Sequence, residues 1–158
     1  MLVKLAIGML ILSGLILLLF LGLGWLSQNK SDTIGLSHGK LAPCPNKPNC
    51  VCSESYTGKQ AKHAISAIKT SEKELPVAWK QIRDSIKTNG GIIIAETDTY
   101  LHAEFTSTFF RFVDDVEIRL NRAPRQIHLR SASRMGHSDF GANRKRIETI
   151  KSDFRRHP

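Results

Sequence analysis

Residues 113–134 read VDDVEIRLNRAPRQIHLRSASR, and the architecture follows from this stretch. Val116, Ile118 and Leu120 alternate with Asp115, Glu117 and Arg119. Ile127, Leu129, Ser131 and Ser133 alternate with His128, Arg130 and Arg134. A period of two sends successive side chains to opposite faces of a strand. Asn121-Arg122-Ala123-Pro124 between the runs turns the chain. The pair therefore reads as antiparallel, with one face packed and the other wetter.

Working outward, Leu101, Ala103 and Phe105 alternate with His102, Glu104 and Thr106, and Phe110 and Phe112 continue past a bulge near Ser107. Thr97-Asp98-Thr99 is a turn, and the Ile-rich run at 91–96 before it is another strand. Ala64 to Ile68 is a short first strand. Leu75, Trp79, Ile82 and Ile86 recur at helical spacing, so residues 75–88 form a helix. Ser71 and Glu74 fit a capping box before it, Pro76 suits its first turn, and Asn89-Gly90 stops it. Phe140, Asn143, Ile147, Ile150 and Phe154 mark a second helix that Asp139 is placed to cap. The expected fold is α+β: an antiparallel sheet of four to five strands, covered on one face by two helices.

The first residues differ in kind. Leu5 to Leu26 is uncharged and apolar all round, long enough for a bilayer core of about 30 Å. Trp25 stands at its far end, where such a ring favours the headgroup level. A cleaved signal peptide is the alternative, but its apolar core is shorter, and Gly24-Trp25-Leu26-Ser27 is a poor cleavage site. The expected organisation is a tail at 1–4, a transmembrane anchor at 5–26, a linker at 27–43 and a globular domain at 44–158. Only Lys4 and the α-amino group precede the span; Lys30, His38 and Lys40 follow it, diluted by Asp32. A tail so short stays in the cytoplasm while the rest crosses, which places the domain outside the cell (inner) membrane, periplasmic in a Gram-negative bacterium.

The 158 residues carry a formal charge of +9, nearly all of the surplus on the domain. That balance favours anionic partners. For a tethered domain, lipid headgroups or an envelope polyanion lie closer than nucleic acid, and a membrane protein complex is a further partner class. Three cysteines, Cys44, Cys50 and Cys52, fall within nine residues. Spacing allows a disulfide from Cys44 to either Cys50 or Cys52, whereas Cys50–Cys52 is too tight. A zinc site needs a fourth ligand, His38 or His63, and lacks the usual C-x2–4-C pair.

The chemistry-bearing candidate is the junction between the last strand and the last helix. Arg130, Ser131, Ser133, Arg134, Ser138, Asp139, Asn143, Arg144 and Arg146 lie there around a Gly/Ser loop. Helix N-termini and arginine forks both suit an anion. The competing use pairs Arg130 and Arg134 with Glu104, Asp115 or Glu117 on neighbouring strands and leaves Asp139 as a cap. Asp114, Asp115 and Glu117 are a possible cation set. No nucleophile elbow, Walker A loop or dinucleotide fingerprint occurs, so no cofactor and no catalytic residue is assigned. A hydrolase or transferase with Asp139 or Asp115 as general base is the alternative to a binding protein.

Three motifs together, CPNKPNCV at 44–51, FRFVDDVE at 110–117 and RSASRMGHSDFGANRKRI at 130–147, resemble the domain-of-unknown-function family 1499. The resemblance covers about residues 41–156. It implies a domain carried behind a signal or membrane segment in bacteria or photosynthetic organelles. Members commonly have serine at the position of Cys52, which implies that Cys44 and Cys50 are the bonded pair.

Overall fold

A computed structural model describes residues 1–29, 31, 33–54, 58–71 and 75–156. The proposed capping partner Glu74 lies outside the described residues. Helix α1, Leu2–Leu26, comes first. A hairpin of β1, Leu36–Ser37, and β2, Lys40–Leu41, follows. Then come β3, Cys50–Cys52; a 3-10 turn at Gly58–His63; β4, Ile68–Lys69; and α2, Leu75–Thr88. Strands β5, Ile92–Glu96; β6, Tyr100–Thr106; β7, Val113–Arg122; and β8, Arg125–Ser133 precede α3, Ala142–Arg156.

The fold is α+β. Its antiparallel sheet runs β3-β8-β7-β6-β5, with β4 also on β8. That makes six strands rather than four to five. The extra strand is β3, a three-residue Cys-Val-Cys segment too short to show a period. The expected first strand at 64–68 reduces to Ile68–Lys69, with Ala64 bridging Cys52. Register explains the core. Val116 opposes Ala103 and Ser131, and Ile118 opposes Leu101 and Leu129, so the apolar positions of β6, β7 and β8 share one face. Ala78, Ile82 and Ile86 of α2 and Ile147 and Ile150 of α3 pack on them, all at most 1% exposed. Each of these isoleucines contributes about 1.5–3 kcal/mol on burial.

Three further differences matter for the site. The run Phe110–Phe112 does not extend β6. Residues 107–112 form a loop closed by Ser107 N–H on Phe112 O, at 2.8 Å, and Arg111 turns it at φ 61°. The segment expected as a linker carries the β1–β2 hairpin, in which Leu41 is buried with Cys44, Cys50, Cys52 and Ala132. The second face of the sheet is therefore not wet. Asp115, Glu117, His102 and Arg130 on it are 2% exposed or less.

Candidate functional site

Strand alternation divides the junction residues before any ligand is considered. Ser131 and Ser133 face α3 with the core, whereas Arg130 lies on the opposite face with Glu117 and Cys52. The nine candidates thus fall into three groups instead of one.

On the second face, Arg130 donates to Glu117 at 2.6 Å, and neither side chain exceeds 1% exposure. The other Glu117 oxygen accepts the Tyr100 hydroxyl at 2.7 Å and the Gly35 N–H at 2.8 Å. Burial, with the Glu117 carboxylate beside it, pushes the Tyr100 phenol well above its ordinary range. Arg134 donates to both oxygens of Asp115, at 2.9 and 2.7 Å, and also to Glu104. Its remaining NH1 points back to α1's exit, 3.4 Å from Ser27 O and 3.2 Å from Gln28 O. His102 Nε2 completes Asp115 at 2.8 Å. Burial alone would raise the Asp115 pKa, but the hydrogen bonds from His102 and Arg134 outweigh it and hold the carboxylate below its ordinary value. His102, Glu104 and Asp115 lie within ligating reach of one another, yet the Arg134 guanidinium bridges both acids, and a cation would have to displace it.

On the helix face, Asn143 is the hub. It receives the Ser131 hydroxyl and donates to Ser133 Oγ at 2.9 Å and Asn49 O at 3.0 Å. Arg146 joins it at 2.8 Å, donates to Asp114 Oδ2 at 2.7 Å and lies 4.7 Å over the Phe105 ring. The proposed cation set Asp114, Asp115 and Glu117 is therefore divided between faces, and each acid meets an arginine. Arg130 and Arg134 have the structural partners of the competing reading, and Arg146 has one that it did not name, Asp114.

The third group, at the outer edge, keeps open capacity. Asp139 caps α3: its carboxylate accepts the Gly141 N–H at 3.1 Å and the Asn143 N–H at 2.8 Å. Ser138 Oγ accepts the Phe140 N–H. A cleft of about 100 Å³ lies beside this cap, lined by Pro48, Cys50, Val51, Lys62, His63, Asp139, Gly141 and Arg144. Arg144 donates to Ala64 O and Lys62 O, both at 3.1 Å, and its exposed guanidinium has further N–H groups to offer. His63 is 1% exposed. Its Nδ1 is 2.9 Å from Cys50 O, and because a carbonyl only accepts, Nδ1 carries the proton. Nε2 is left as the buried ring nitrogen with no partner among the described residues, the kind of group that asks for an explanation.

The Cys44–Cys50 disulfide forms one wall of this region, with a Cα–Cα distance of 5.6 Å. That pairing removes the three-cysteine zinc alternative. Cys52 keeps its thiol in the interior. Lys62 and Asn49 were missed in the sequence, and His63 was named only as a possible zinc ligand, because all three precede Arg144 by some eighty positions or more and no local motif links them. One of several larger surface clefts, about 560 Å³ between α2 and the β5–β6 turn, already uses its Trp79 N–H on Glu96.

The sequence profile of the family described as a protein of unknown function, DUF1499, matches residues 40–154. Comparison with curated proteins and with solved structures gives no match. The chain belongs to the DUF1499 family.

Proposed function

We propose that this DUF1499 protein is a single-pass, membrane-anchored envelope protein that binds a phosphate-like anion in the cleft beside the α3 cap. The observation that carries the binding reading is the buried Nε2 of His63, without a partner among the described residues; His63 lines a cleft in which the charges of Lys62 and Arg144 outnumber that of Asp139. A monohydrogen phosphate group suits that nitrogen in either state. Neutral His63 accepts the ligand's O–H, and ionised His63 donates to its oxygen. The cleft is far below the roughly 300–1,000 Å³ of a site for a whole small molecule, so it fits one tetrahedral headgroup. A lipid headgroup and a free phosphate share this chemistry. A binding role is favoured over hydrolysis because Asp139 is engaged as a cap, and Asp115 is a weak base below its ordinary pKa.

Retention of α1 is supported by how its end is built into the domain. Ser27 Oγ accepts the Val113 N–H at 3.1 Å, and Gln28 donates to Arg111 O at 2.5 Å. Cleavage after Leu26 would strip the loop at 107–112 of its apolar neighbours. A C-terminal alkaline phosphatase fusion is expected to be active and a green-fluorescent fusion dark; the reverse pattern overturns the topology. For binding, the full chain in detergent is titrated with inorganic phosphate and with glycerol phosphate while its melting temperature is followed. Wild type is expected to be stabilised and Lys62→Glu not. A wild type indifferent to both ligands refutes the binding reading.

A further inference from the structure

Alongside the last turns of α1 the domain places three phenylalanines in one short loop. We propose that this β6–β7 loop, residues 107–112, is a second membrane contact, seated in the acyl-chain region of the same leaflet that α1 leaves. The proposal rests on α1 being a retained anchor.

The depth follows from helix geometry. Phe110 meets Phe20 with ring centroids 5.2 Å apart, and Phe112 meets it at 6.4 Å. Phe20 precedes the end of α1 by six residues, which at 1.5 Å per residue puts it about 9 Å inside the span. Gly24 permits this approach. A Cβ there would stand 1.6 Å from Phe110 O, so the loop backbone lies directly against the helix. A loop at that depth meets lipid, not water.

Its composition and bonding fit that medium. Phe109 is 81% exposed, and on a water-facing loop that ring has no use. Irregular backbone survives near hydrocarbon only when its polar groups are satisfied internally. Here Arg111 N–H donates to Ser107 O, and Phe112 N–H to Ser107 Oγ. Arg111 O accepts from Gln28 Nε2 at 2.5 Å. Arg111 is the one charged residue of the loop; its long stem lets the guanidinium reach the headgroup phosphates while its neighbours stay below.

The test places a single tryptophan at Phe109→Trp in the full chain carrying Trp25→Phe and Trp79→Phe. The chain is reconstituted in vesicles of phosphatidylcholine with a minority of phosphatidylglycerol. Phe140→Trp in the same background is the water-exposed reference, since Phe140 is 99% exposed. Mid-chain-brominated lipid is expected to quench the Phe109→Trp variant several-fold more than the reference, and aqueous acrylamide to do the opposite. Equal behaviour of the two variants overturns the proposal. An alkaline wash and intact-mass measurement of the same vesicles separate the two readings. A stripped or shortened chain sinks the anchor and the loop together. An intact, retained chain with an acrylamide-accessible tryptophan in the Phe109→Trp variant sinks the loop alone.

Discussion

Replacing Arg134 with lysine keeps a positive charge and removes the planar fork. In the structure the guanidinium makes two bonds to Asp115, at 2.9 and 2.7 Å, and one to Glu104, and reaches the carbonyls of Ser27 and Gln28. Arg134 is 4% exposed and Asp115 3%, so these bonds are made largely out of water; Glu104, at 27%, counts for less. A hydrogen bond to a charged group is worth about 1.5–3 kcal/mol. Lysine retains the Coulombic attraction and loses one or two such bonds, which gives a cost of about 2–4 kcal/mol. Arg134→Met leaves Asp115 with His102 alone, and breaking a buried pair from one side costs about 3–5 kcal/mol. For a domain of this size about 4 °C accompanies each kcal/mol, so the lysine variant is expected to melt roughly 8–16 °C lower. The assay is thermal denaturation of the full chain in detergent, followed by circular dichroism, with and without phosphate. Stabilisation by phosphate should persist in the variant, because the cleft at His63 is separate from Arg134. A variant that melts like wild type and no longer responds to phosphate would show that Arg134 is itself the anion ligand, and would refute this reasoning.

The remaining expectations follow from the same networks. Burial holds His128 below its ordinary pKa of 6.5. The unfolded chain therefore takes up that proton first, and stability falls as pH drops below about 6.5. His128→Gln should remove this leg from a pH series of melts. Asp115 adds a second leg, present above 3.8 and lost as pH falls further. Replacing Cys44 and Cys50 together with serine should cost about 2–3 kcal/mol for so short a loop; alkylation of the native wild-type chain at Cys44 or Cys50 without reduction would exclude the bond. Gly24→Ala should force the 107–112 loop off α1, read as faster hydrogen exchange at the Val113 amide. Arg130→Met with Glu117→Leu removes both ions of a buried pair at little net cost but strands the Tyr100 hydroxyl and the Gly35 N–H that Glu117 accepts, so the variant should lose about 1–3 kcal/mol. It should speed exchange at the Gly35 amide that Glu117 now accepts, and slow exchange there would count against a positioning role for the pair.

Much of the fold was legible because it rests on periodicity. Leu75, Trp79, Ile82 and Ile86 gave helix α2 its full range of Leu75–Thr88, and the alternations of β6, β7 and β8 gave the face on which each packs. Short elements were legible poorly or not at all: β1, β2 and β3 have two or three residues each, and of the strand expected at 64–68 only Ile68 falls in β4. Phe110 and Phe112 looked like strand positions because they alternate, and the left-handed turn at Arg111 leaves no mark in the residue types. The candidate site was legible only in part. Adjacency suggested that Arg130, Ser131, Ser133 and Arg134 act together, but the period-two rule that identified the strand also sends Ser131 and Arg130 to opposite faces. The cleft needs His63 beside Arg144, and only tertiary structure brings them there.

A buried ion pair is weak evidence for stability, since two charges leaving water lose about as much as they gain from each other. The second face of this sheet nonetheless carries Arg130–Glu117, Arg134–Asp115 and Arg119–Glu54 in place of aliphatic pairs. What distinguishes these pairs is direction. Each also binds a backbone group of the entering chain: Glu117 takes the Gly35 N–H, Glu54 the Leu41 N–H, and Arg134 the carbonyls at α1's exit. An apolar cover could slide along an apolar face at little cost, whereas these bonds lose most of their strength when misaligned. The charges thus fix Ser27, Gln28, Gly35 and Leu41 in one register on the sheet. A segment that reads in the sequence as a linker is tied to the sheet by directed bonds at both of its ends.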